Sequence, residues 1–76
     1  MVKKDTSEWH LFKDLFVLYS DNSEPEDTDA YWKHLYDQAK EMEKKYRDTD
    51  IEEIARFLFL AIIKALELKW RKKNYG

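Results

Sequence analysis

The sequence predicts an all-α fold, a three-helix unit over about residues 7–20, 28–47 and 50–73 that associates as a helical homodimer. Three observations lead there. Apolar residues recur at spacings of three and four through most of the chain, the period of an amphipathic helix. Glycine and proline occur once each, at Gly76 and Pro25, too little punctuation for a sheet with tight turns. Charged residues make up 39% of the chain, with both signs interspersed as on solvated helix surfaces.

The first helix opens after Asp5 or Thr6, both good N-caps, and Glu8 stands three residues beyond Asp5 as in a capping box. Trp9, Phe12, Phe16 and Tyr19 form one apolar row and Leu11, Leu15 and Leu18 an adjacent one, while His10, Lys13 and Asp14 lie opposite. Val17 falls on the polar side. Residues 20–29, SDNSEPEDTD, then stop the helix, because Ser, Asn, Asp and Pro favour turns. This stretch has five carboxylates from Asp21 to Asp29 and no base, which suits the positive N-terminus of the next helix. It lacks the glycine and the ligand alternation of a calcium-binding EF-hand loop.

The second helix, capped by Asp27 or Thr28, carries Trp32, Leu35, Ala39, Met42 and Tyr46 as a narrow heptad-like seam. Tyr31 and Tyr36 flank the seam, and Glu41–Lys45 and Glu43–Arg47 are favourable i,i+4 pairs on the charged faces.

The third helix follows Asp48, Thr49 and Asp50, where Thr49 with Glu52 or Asp50 with Glu53 makes a capping box. From Ile51 to Trp70 it is about 28 Å long at 1.5 Å per residue. Ile51, Ile54, Ala55, Leu58, Ala61, Ile62 and Ala65 form one broad apolar face, and Phe59, Ile63, Leu66 and Trp70 a second. A helix apolar nearly all round must be surrounded, and 76 residues supply too few elements to cover both faces. The pattern therefore places Leu58 and Ile62 in the core against Phe12, Phe16, Leu35 and Met42. It assigns Phe59, Ile63, Leu66 and Trp70 to the face shared with a second copy. Residues 1–5 and 74–76 are expected to fray.

Composition narrows function by exclusion. With no cysteine there is no disulfide, thiol nucleophile or zinc-finger ligand set. No glycine-rich loop precedes a helix, so phosphate-cradling motifs are missing. His10 and His34 are the only histidines, each among charged residues. Asp37 and Gln38 beside His34 make at best a weak zinc site, and exposed surface histidines are the simpler reading. No catalytic residue, cofactor, metal or small-molecule substrate is inferred, and the chain is not expected to be an enzyme. The N-terminus lacks an apolar signal core, and the longest apolar run, Phe57 to Ile63, falls far short of the roughly 20 residues that span a bilayer. A cytoplasmic protein with no membrane association is expected.

Arg71, Lys72 and Lys73 raise the question of phosphate contacts. Consecutive residues spread round a helix, so helix-end capping explains them better, and a net charge of −2 gives no global pull toward nucleic acid. Antiparallel packing of sequential helices brings this basic end beside the acidic loop at 21–29. The stretches EPEDTDAYW, DAYWKHLYDQAKEMEKKY and FLFLAIIKALELKWRKK resemble small helical proteins encoded by prophages and conjugative elements of Gram-positive bacteria. The resemblance implies a mobile-element origin and assigns no activity or site. The expected function is a non-enzymatic protein–protein interaction module acting on a host or phage protein. The alternative is a nucleic-acid-associated accessory protein using the basic C-terminal turn.

Overall fold

The computed structural model describes residues 1–75 and contains three helices, α1 (Ser7–Asp21), α2 (Asp29–Lys44) and α3 (Glu52–Tyr75), with no strand among the described residues. The all-α, three-helix fold expected from periodicity is the fold observed. Of the two cap residues the sequence offers at each early start, the threonine caps the helix in both cases, and Asp5, with φ of 66°, stays outside, so no capping box with Glu8 forms. The Thr6 hydroxyl accepts from the Trp9 backbone N–H at 3.2 Å, and that of Thr28 accepts from Tyr31 at 3.1 Å, each satisfying a donor the helix start leaves open. The third start differs. Thr49 turns its hydroxyl back to donate to the Tyr46 carbonyl at 2.6 Å, and α3 begins on backbone bonds from Glu52 to Thr49 and from Ala55 to Ile51. Asp48, with φ of 63°, makes the reversal between α2 and α3; aspartate tolerates this left-handed region better than most residues do. The second helix ends at Lys44, short of 47, because residues 45–48 already form turns. The third passes its expected end, so Asn74 and Tyr75 are helical where fraying was expected, and Gly76 lies outside the described residues.

Side-chain pairs fix the directions. Asp14 meets Lys45 and Tyr46, and Asp21 meets Gln38, so α1 and α2 run antiparallel. Arg56 meets Glu43, which makes α2 and α3 antiparallel in turn. Lys69 lies over the Tyr19 ring and donates to the Ser23 carbonyl, so the end of α3 returns to the end of α1. The result is an up-down-up unit, 38 × 24 × 18 Å.

The core is built from Leu11, Leu15 and Leu18 of α1, Leu35 and Ala39 of α2, and Ile51, Ala55, Phe59, Ile63 and Leu66 along α3, closed below by Tyr46. Two expectations are corrected here. On α1 the leucine row is buried, whereas Phe12 and Phe16 are 52% and 72% exposed. On α3 the face assigned to a partner is the inner one: Phe59, Ile63 and Leu66 are buried within the monomer, and Leu58 and Ile62 only flank the core. The physical reason is position around the helix. Arg56 and Glu67, near 60–80° from Phe59 at 100° per residue, mark the α2 side, and Lys69 marks the α1 side. Phe59, Ile63 and Leu66 point between them.

A buried polar cluster ties the acidic end together. Asn22, 3% exposed, donates from Nδ2 to the Leu18 carbonyl at 2.8 Å and to Gln38 Oε1 at 2.9 Å. Its main-chain carbonyl accepts from the Tyr31 hydroxyl at 2.6 Å. Gln38 in turn donates to Asp21 at 3.0 Å. Burial, helped by the charge of Glu26, raises the Tyr31 pKa and keeps that hydroxyl a donor. Asn22→Ala removes two hydrogen bonds, one of them to the carbonyl of the fully buried Leu18, so it should cost about 2–3 kcal/mol. Urea unfolding checks this: a midpoint no lower than that of the surface control Lys40→Ala would remove Asn22 from the stabilising set.

At the other end the Tyr46 hydroxyl donates to Asp14 Oδ2 at 2.7 Å, and Lys45 reaches the same oxygen at 3.3 Å. Burial first, then the bond to Asp14 and its charge, hold the Tyr46 pKa well above its ordinary value of 10.0. The unfolded chain therefore releases this proton first. The contribution to stability is complete below pH 10 and declines as pH climbs from there toward the folded value. Tyr46→Phe should cost about 1–2 kcal/mol at pH 7, and its unfolding free energy should fall less steeply above pH 10 than that of the parent. Parallel alkaline limbs would refute the assignment.

Candidate functional site

Building outward from the core exposes the feature that the sequence placed on the wrong side. With Phe59, Ile63 and Leu66 turned inward, the opposite side of α3 presents Phe57, Leu60, Ala61, Lys64, Ala65 and Leu68 round a shallow depression of about 440 Å³. Phe57 is 72% exposed, and Ile54, Leu60 and Leu68 are each exposed by about half. Lys64 is the only charge in the lining, and it leans to Glu67 at 3.4 Å. Its stem adds apolar area there while the ammonium stays at the rim.

Phe12 and Phe16 extend this surface. On α1, Asp14 and Asp21 look toward α2, and Tyr19 looks toward Lys69 of α3. At 100° per residue Phe12 and Phe16 follow Tyr19, on the flank of α1 that borders α3. Since Lys69 sits over Tyr19, these rings are about level with Ile62 and Leu66, near the middle of α3. Large exposed aromatics on one side of a small protein mark interaction surfaces far better than scattered single residues do.

Trp70, the fourth residue of the expected shared face, is half-buried in a second groove of about 400 Å³ with Asp27, Trp32, Tyr36, Glu67 and Arg71. Arg71 already stands among the two carboxylates, so this groove offers little net charge to a ligand. Two of the basic residues, Lys69 and Lys73, lie where antiparallel packing puts them, over the acidic loop. Lys73 reaches Glu24 at 3.9 Å, and Lys69 binds the Ser23 carbonyl. Such exposed pairs contribute only about 0–1 kcal/mol each, but they offset part of the basic charge locally. His10 and His34 are exposed, and no group of three or more metal-binding side chains occurs among the described residues. No described helix is long and apolar enough to cross a membrane.

Sequence reasoning missed Asn22 as a buried hub and missed the outer side of α3 as the open one. For Asn22 the only signal was its place four residues after Leu18, on the same side as the buried leucines. For α3 the signal was size: Ala61 and Ala65 dilute the outer face, whereas the inner one is bulky at nearly every turn. No protein-family profile, curated protein or solved structure matches this chain.

Proposed function

We propose that this protein is a non-enzymatic protein–protein interaction module that works as a homodimer through the outer side of α3 and the adjoining flank of α1. One observation carries the reading: Phe12, Phe16, Ile54, Phe57, Leu60 and Leu68 are all at least half exposed on one continuous side, in a chain with few other elements to cover them. Burying such side chains is favourable by about 1.5–3 kcal/mol each when complete, which is the driving force for association. On the resemblance to mobile-element proteins, the target beyond a second copy is a host or phage protein, met in the cytoplasm. Absolute mass by light scattering, between about 1 and 100 μM, tests the reading. About twice the 9.3 kDa chain mass is expected, and a monomer throughout, with a folded helical spectrum, would sink it.

Exposure of Arg71, Lys72 and Lys73 at one end favours the second reading, an accessory protein that contacts nucleic acid phosphates. Engagement of Lys69 and Lys73 with the acidic loop weighs against it. Mixed-sequence DNA at about 50 mM salt separates the two, because phosphate-driven binding is strongest at low salt. Micromolar binding lost on neutralising Arg71, Lys72 and Lys73 would promote the second reading.

A further inference from the structure

Given the self-association proposed above, on which this rests, we infer that a second copy covers the outer side of α3 in antiparallel orientation, with its twofold axis close to Ala61. The acidic start of each α3 then meets the basic end of the other.

Three observations converge on this occupant. The first is area. The protein exposes 5757 Å², against roughly 5,000 Å² for a folded monomer of its mass. The excess is of the same order as the roughly 800 Å² that each partner contributes to a standard interface. An excess of this size is what a chain with one uncovered interface would show, and the exposed apolar side chains place most of the apolar part of it on the outer side of α3 and the adjoining flank of α1.

The second is charge. Lys69 and Lys73 turn to the acidic loop of their own chain, which leaves Glu53 near the start of the outer side of α3 and Arg71 and Lys72 near its end, all three exposed. Parallel pairing stacks like on like. Antiparallel pairing sets each acidic start on a basic end and also opposes the two helix dipoles.

The third is shape. Along the outer side the bulky Phe57 and Leu68 bracket the small Ala61 and Ala65. A twofold axis perpendicular to the helices matches each flank of α3 with the same flank reversed. Glu53, Leu60, Lys64 and Arg71 follow one flank at 100° per residue, and Ile54, Leu58, Ala65 and Lys72 the other. An axis near Ala61 sets Phe57 over the partner's Ala65, Ile54 beside the partner's Leu68, and Glu53 within reach of the partner's Arg71. The two small alanines at the centre let the helices approach at the short end of the usual 8–10 Å range. Phe12 and Phe16, level with mid-helix, would close one flank of the seam.

Cysteine cross-linking tests the geometry directly, because the chain has no cysteine of its own. Ala61→Cys should link to itself through a short bismaleimide. Ile54→Cys and Leu68→Cys should each fail to self-link, since antiparallel copies hold like residues there about 21 Å apart, yet a mixture of the two should link. In the same protein, Glu53→Arg should weaken association about tenfold, and adding Arg71→Glu should restore it to within about threefold. A dimeric mass with efficient self-linking at Ile54, or with no link at any of these positions, overturns the antiparallel geometry and leaves self-association standing. A monomeric mass overturns both.

Discussion

Phe59→Ala should cost about 3–5 kcal/mol, the range for emptying a buried aromatic site, while Phe57→Ala, two residues away, should change monomer stability by no more than about 0.5 kcal/mol. Phe59 is 3% exposed and its ring lies 6.3 Å from that of Tyr46, between α2 and the centre of the bundle. Phe57 is 72% exposed on the far side of the same helix. A domain this small has a total stability of roughly 4–11 kcal/mol, so the loss at Phe59 is about a quarter of the total or more and should lower the urea midpoint in proportion. Urea titration followed by tryptophan fluorescence at sub-micromolar concentration reads both variants without interference from association. Equal costs would mean that α3 has no distinct inner side and that the core is wrongly drawn.

The contrast between these two phenylalanines marks what the sequence could and could not specify. Helix number, the caps at Thr6 and Thr28, the α2 seam and the meeting of acidic loop and basic end all follow from local chemistry and chain direction. Spacing, cap residues and loop length each act over a few positions. The orientation of α3 about its own axis is different. Both of its sides are apolar, so periodicity fits either one turned inward, and only packing with α1 and α2 decides. α1 poses the same problem, with a leucine row and an aromatic row side by side. The packing buries Leu11, Leu15 and Leu18. Of the aromatic row, Tyr19 packs on the core, and Phe12 and Phe16 stay exposed on the flank that joins the outer side of α3. The candidate surface was thus legible as an excess of apolar area and illegible as a list of residues.

Phe57→Asp should weaken the proposed dimer about 1,000-fold or more while leaving the monomer folded. Phe57 occurs twice in a symmetric dimer, so each substitution acts twice. The ring is 72% exposed in the monomer, and burying most of a phenylalanine contributes about 1.5–3 kcal/mol. Losing that on both sides amounts to at least about 3 kcal/mol. Placing two carboxylates in the seam adds the cost of desolvating them without a partner. A total near 4 kcal/mol or more corresponds to about three orders of magnitude in Kd. The variant should therefore run as a monomer at concentrations where the parent is dimeric, with an unchanged helical spectrum. The parent's Tm should rise with protein concentration because association stabilises the folded state by mass action, and the variant's should not. A companion substitution, Tyr36→Asp, removes a half-exposed aromatic of the groove between α2 and α3, at the edge of the seam beside Leu60, and should weaken association far less, leaving the mass dimeric. If Phe57→Asp stays dimeric and Tyr36→Asp dissociates, the shared surface lies on α2, and the outer side of α3 has some other use.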